Sequence, residues 1–294
     1  MVIVDFKENL RLGGGPVECG KDYFTRQQCS VLGMAVVYQD QVSKQPCVEY
    51  IDFFSDILSH DALFVTGCMS DLLHNFINLK YRNLSLKKVH FWNDTGRHFQ
   101  CGELAHYLLK IVPVEFNVQV TWNFFGEHHG KSIVDGHFGV LSRMKTQIET
   151  RVQVDTIDQL IAELQKKERE AHETEVGEKV IWNFGKYDRE NRPDEYKVLN
   201  ITRMCDYYYF ESVSIGGDVF LNGKLLTSSD DYLANFRFSE KVIQETRETK
   251  RGSDFVERAK KRTRGQEDGE ENNPFGRNVS KKLRRQKAQL SSNN

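Results

Sequence analysis

Asp5, Asp94 and Asp135 are the residues of this chain whose type and setting could do chemistry. The first ends an opening apolar run, Met1-Val2-Ile3-Val4-Asp5-Phe6-Lys7-Glu8-Asn9, and the second closes another, Val89-His90-Phe91-Trp92-Asn93-Asp94. The third stands where a helix-like stretch opens, in His129-Gly130-Lys131-Ser132-Ile133-Val134-Asp135-Gly136-His137-Phe138-Gly139. Carboxylate oxygens are the hard donors that suit Mg²⁺ and Mn²⁺. Two such ions about 3.5–4 Å apart orient an attacking water or hydroxyl, lower its pKa and neutralise the leaving oxygen of a phosphodiester. On that scheme Asp5 bridges both ions, Asp94 holds one and Asp135 the other. Glu8, three residues after Asp5, is either a supporting ligand or an exposed charge. His129 and Lys131 contact a scissile phosphate or merely cap and solvate a helix start. An aspartate at a strand end is also a common turn former, so the three carry weight together and little singly.

The elements between them decide whether they can meet. Val2 to Phe6 reads as a strand, broken soon after by Gly13-Gly14-Gly15-Pro16. Ser30 to Tyr38 and Cys47 to Phe54 are β-branched and apolar across a short polar loop, and look like a hairpin. Leu63, Phe64, Leu72, Leu73, Phe76, Ile77 and Leu79 recur at helical spacing before the short strand Lys87 to Trp92. A helix around Cys101 to Ile111, a strand Val118 to Phe125 and a helix from Ser132 to Ile148 follow. The order is β-β-β-α-β-α-β-α, that of the ribonuclease-H-like fold, an α/β architecture with a mixed five-stranded sheet flanked by helices. In such a sheet the first and fourth strands lie side by side, which brings Asp5 to Asp94. The late helix crosses nearby and supplies Asp135.

The same reading divides the chain into a ribonuclease-H-like domain at 1–152, a helical connector at 153–177, a small β-rich domain at 178–236 and a basic tail at 237–294. In the connector, Ile157, Leu160, Ile161 and Leu164 mark one apolar stripe. Apolar residues become sparse after Phe238, and the tail is expected to be disordered because it cannot bury enough area to offset its conformational entropy.

The formal charge of −1, from 41 basic and 42 acidic residues, hides an asymmetry. From Arg237 onward there are 16 Lys and Arg against 9 Asp and Glu, leaving 25 against 33 before it. An acidic body tells against a protein that coats nucleic acid by neutralising phosphates, and is compatible with an enzyme holding divalent cations. The six cysteines, Cys19, Cys29, Cys47, Cys68, Cys101 and Cys205, form no CxxC pair and read as reduced thiols of an intracellular protein. No run approaches the roughly 18 apolar residues of a membrane span, and the N-terminus lacks a charged segment followed by an apolar core.

The flanking residues resemble a group of ribonuclease-H-like transposase domains that recur, as transposon-derived proteins, in animal and other eukaryotic genomes. Asp5-Phe6-Lys7-Glu8-Asn9 is similar to their first motif, and Asp94 to Gln100 partly matches their second. Trp122-Asn123-Phe124-Phe125, His129-Gly130-Lys131 and Asp135-Gly136-His137-Phe138-Gly139 together resemble the third, the most specific. The resemblance covers about residues 1–150. It implies DNA cleavage and strand transfer by two Mg²⁺ or Mn²⁺ ions on Asp5, Asp94 and Asp135, action in the nucleus, and assembly as a homo-oligomer. Such enzymes usually carry a DNA-binding segment before the catalytic core. Here the first strand begins at Met1, which fits a truncated or domesticated copy.

A second reading keeps the fold without catalysis, as a nuclear DNA- or protein-binding protein working through its tail. Lys260, Lys261, Arg262 and Arg264, then Lys281, Lys282, Arg284 and Arg285, are spaced like a nuclear-import signal and could also make phosphate contacts. Tyr207-Tyr208-Tyr209-Phe210 could stack bases but reads first as a strand alternating into a core.

Overall fold

Period-two alternation that is apolar on both sides makes a strand that must be covered on both faces, and β1 (Val2–Arg11) is such a strand. Val2 and Val4 enter one core, while Ile3 and Leu10 enter another. The computed structural model describes residues 1–16, 27–40, 44–77, 86–126, 132–174, 180–188, 195–215, 218–228, 230, 232 and 236–244. β1 pairs antiparallel with β2 (Gln28–Gln39), which pairs antiparallel with β3 (Pro46–Ser55). On its other side β1 runs parallel to β4 (Lys88–Asn93), and β4 parallel to β5 (Gln119–Phe124). The first and fourth strands are therefore neighbours, as expected.

The sheet is larger than five strands. Its order is β6-β3-β2-β1-β4-β5-β8-β9, eight strands in all. β6 (Ile181–Lys186) lies parallel to β3, while β8 (Tyr209–Ile215) and β9 (Asp218–Lys224) form a hairpin beside β5. Strands expected to make a separate domain at 178–236 thus complete both edges of the main sheet. Edge strands carry unpaired N–H and C=O groups that another strand can satisfy, and the additions also bury apolar side chains. Phe184 joins one core; Phe210 and Leu221 join the other. Tyr207 and Phe210 are core residues, which is the packing role expected of that aromatic run.

Helices cover the two faces unequally. α1 (Ala62–Asp71), capped by Asp61, continues through a wider turn, Leu72–Ile77. It packs with α2 (Gly102–His106) and α3 (Val112–Glu115) against the Val2 and Val4 face. α4 (Ile133–Glu149) and α5 (Ile157–Thr174) pack on the Ile3 face. A two-stranded sheet of β7 (Glu195–Ile201) and β10 (Phe238–Gln244) completes the described structure. β10 falls inside the stretch expected to be disordered. Polar contacts explain it, since Lys197 Nζ lies 3.1 Å from Glu240 Oε1 and Thr202 N–H donates to Arg237 O at 3.1 Å. Among the described residues no helix is long and apolar enough to cross a membrane.

The five described cysteines are free thiols. Cys29 and Cys68 are fully buried, and burial pushes the Cys29 thiol up to about 12, so these two are inert core residues.

Candidate active site

The carboxylates converge because of strand register. Val2 is opposite Phe91 and Ile3 opposite Trp92, so two further steps along the parallel pair carry Asp5 to Asp94. Alternation then places both on the Ile3 face, under the start of α4. The ends of the strands are held by Asn93, which is fully buried. Its Nδ2 donates to Val4 O at 3.4 Å, its Oδ1 accepts from Trp122 Nε1 at 2.9 Å, and its carbonyl accepts from Phe125 N–H at 2.9 Å.

Each aspartate commits one oxygen locally. Asp5 Oδ1 accepts the Phe6 N–H at 2.8 Å, and Asp94 Oδ1 accepts the Gly96 N–H at 2.8 Å in a turn. Asp135 is the third residue of α4 and closes a capping box, its Oδ2 taking the Ser132 N–H at 2.7 Å while its own N–H donates to Ser132 Oγ at 3.4 Å. The other oxygen of each carboxylate has no hydrogen-bond partner among the described residues. Asp5 is the most constrained. Burial first, then the charges of Asp94 and Asp135, push its carboxyl up to about 7 against the opposing Phe6 N–H.

Three partly solvated carboxylates, two of which raise the proton affinity of the third, have donor oxygens to spare and suit hard divalent cations in donor chemistry. Their convergence is not a finished cage. Among the described residues no three His, Cys, Asp or Glu side chains stand in a metal-holding arrangement. Glu8 is exposed, and its charge acts on Lys7 rather than on Asp5. His129, Lys131 and the basic residues Lys260, Lys261, Arg262, Arg264, Lys281, Lys282, Arg284 and Arg285 lie outside the described residues.

Two groups beside the aspartates escaped the sequence reading. On the opposite face of β1, the Phe6 ring stacks on His60 at 4.1 Å and meets His98 edge-on at 4.9 Å. His60 Nε2 is 3.0 Å from Asn9 Oδ1, and His98 Nε2 is 3.9 Å from Asp94 Oδ1. Burial lowers both imidazoles, so neutral rings line this side of the strand ends. The second group is Asp52 on β3 with His137 on α4, bonded at 2.7 Å from Nε2 to Oδ2 and almost wholly buried. His137 lies inside the third motif, which is the one signal that could have singled it out. Asp52 lies in an apolar strand with nothing to mark it.

This chain belongs to the family whose model, described as a domain of unknown function (DUF8701), matches residues 1–203. The match spans Asp5, Asp52, Asp94, Asp135 and His137. No curated protein and no solved structure matches the chain.

Proposed function

We propose that this member of a family of unknown function is a ribonuclease-H-like core of transposase or integrase type, which cleaves and joins DNA with two divalent cations, Mg²⁺ or Mn²⁺, held by Asp5, Asp94 and Asp135. The observation that carries the reading is the parallel register of β1 and β4, which carries Asp5 beside Asp94 just past the end of β4, with Asp135 at a helix start close enough to raise Asp5. Asp5, the central carboxylate, is the one the two ions would share; Asp94 and Asp135 would each hold one. When bound, such ions activate the attacking hydroxyl and offset charge on the leaving oxygen. The chain itself supplies orientation. Asn93 ties the ends of β1 and β4 together, and the Ser132 capping box sets the direction of Asp135. Gly136 and Gly139, exposed on α4, leave open space in which a polynucleotide backbone can approach. The basic clusters at 260–264 and 281–285 would serve nuclear import or phosphate contact.

One observation favours a second reading, that of a non-catalytic nuclear DNA- or protein-binding protein: among the described residues the carboxylates do not form a metal-holding group. Cleavage and strand transfer on labelled DNA in Mg²⁺, Mn²⁺ and EDTA separate the two. The expected result is product with metal, none with EDTA, and none with Asp94→Ala. Equal behaviour of the two proteins, both folded by circular dichroism, would favour the binding protein.

A further inference from the structure

Asp5, Gly33 and Asp52 form one row across three strands, since Asp5 is opposite Gly33 and Gly33 opposite Asp52. Directly opposed residues share a face, so both carboxylates point toward α4, their Cα atoms roughly 10 Å apart by strand spacing. The first turns of α4 lie over this row. The Phe138 ring occupies the gap above Gly33, where an added Cβ would come within 2.4 Å of the ring. His137 reaches Asp52 at 2.7 Å, and its ring stacks on Tyr50 at 4.2 Å and 5°. Asp135, two residues earlier on the same first turns of α4, is exposed.

Packing alone gives no reason for Asp52 and His137. Their side chains are 0% and 2% exposed, and Asp52 Oδ1 and His137 Nδ1 have no hydrogen-bond partner among the described residues. A half-satisfied buried pair costs desolvation that a well-packed apolar pair of like volume avoids, so such replacements are often neutral or stabilising. What an apolar pair lacks is direction. Phe138 over Gly33 is a contact along which the helix could slide or roll, whereas one short bond from helix to strand fixes its register.

We propose that Asp52 and His137 are positioning residues for the Asp5, Asp94 and Asp135 centre, tying the first turns of α4 to β3 and so holding the helix start that carries Asp135 over the strand row that begins at Asp5. The inference rests on the metal-binding reading above. It also says what the cation would find: two carboxylates fixed by the sheet, and a third whose place depends on a buried bond outside the coordinating set.

The test uses the full chain and Mn²⁺ alone as probe, measuring its affinity by calorimetry, the melting temperature, and hydrogen exchange of the Gly136 to Phe138 amides without metal. Asp52→Leu and His137→Phe are expected to keep or raise the melting temperature, speed exchange in the first turns of α4, and weaken Mn²⁺ about tenfold or more, the scale on which outer partners of metal ligands act. Asp52→Asn, which can still accept from His137, should stay within about threefold of the parent, because direction rather than charge is what it preserves. Unchanged affinity and exchange in folded Asp52→Leu and His137→Phe would overturn the proposal. So would a loss of affinity that only tracks a fall in melting temperature, the mark of a merely structural pair. Absence of Mn²⁺ binding by the parent chain would instead sink the metal-binding reading. Exchange in the metal-free variants would then still decide whether the pair fixes α4.

Discussion

Asp5 and Glu211 are carboxylates on the same face of one sheet, and their surroundings are opposite. Glu211, on β8, accepts from Lys88 Nζ at 3.2 Å, from Gln119 Nε2 at 2.6 Å and from the Tyr232 hydroxyl. Burial works to raise it, yet the bonds from Tyr232 and Lys88 outweigh burial and hold it below the ordinary carboxylate range. Asp5 receives one N–H from its own neighbour and faces two further carboxylates, and it is pushed up to about 7. The chain therefore supplies the countercharge at β8 and withholds it at the end of β1. A buried charge left without a partner is a standing cost to the fold, and such sites are where function is most often found.

Asp5→Asn gives the largest expected effect and the sharpest form of this contrast. The folded value of about 7 lies above the unfolded value of about 3.9. Between those values the folded chain holds a proton that the unfolded chain has released, so Asp5 makes stability fall as pH rises through that window. Above pH 7 the full penalty is present, about 2–4 kcal/mol at about 1.4 kcal/mol per pH unit. Denaturant melts of Asp5→Asn should show a gain of that order at pH 8 and none near pH 3.5, and on the proposed function the variant should also lack metal-dependent cleavage at either pH. A variant less stable than the parent at pH 8 would mean that Asp5 is satisfied, and the contrast would break.

Glu211→Ala should move stability the other way, by about 1–3 kcal/mol at pH 7, because it strands donors that now share one acceptor. Glu211 is held below its unfolded value, so its contribution is present above the unfolded pKa and fades as pH falls below it. Melts of parent and variant should therefore converge toward pH 3. Opposite signs for Asp5→Asn and Glu211→Ala at pH 8 are what distinguish a working carboxylate from a structural one.

The aspartates could be read because local pattern marks them: each sits where an apolar run ends or a helix starts, and one register rule brings Asp5 to Asp94. The outer strands could not. β8 pairs with β5 through Trp122 and Phe210, and β6 with β3 through Tyr50 and Trp182. Which edge a strand joins is decided by long-range packing that its own sequence does not encode. Asp52 was illegible for the same reason, since its partner is 85 residues away and the strand around it reads as uniform core. β10 was missed because its side chains are nearly all exposed, so no alternation announces it.

Gly136 and Gly139 extend the comparison from charge to shape, with the smallest expected effect. Both lie within α4 on its exposed side, and an added Cβ at either would meet none of the described residues within 4 Å. Gly33 is different, because Phe138 fills its space. A glycine inside a helix costs about 0.5–1 kcal/mol relative to alanine, and at 136 and 139 no described neighbour requires it. Alanine at each should therefore raise stability by about that amount in thermal melts. If the open strip beside Asp135 is where a polynucleotide backbone lies, the double variant should also raise the KM for DNA while Mn²⁺ affinity stays near that of the parent. A double variant that is more stable and equally active would remove α4 from the substrate path and leave the approach to Asp5 and Asp94 on the β4 side of the sheet.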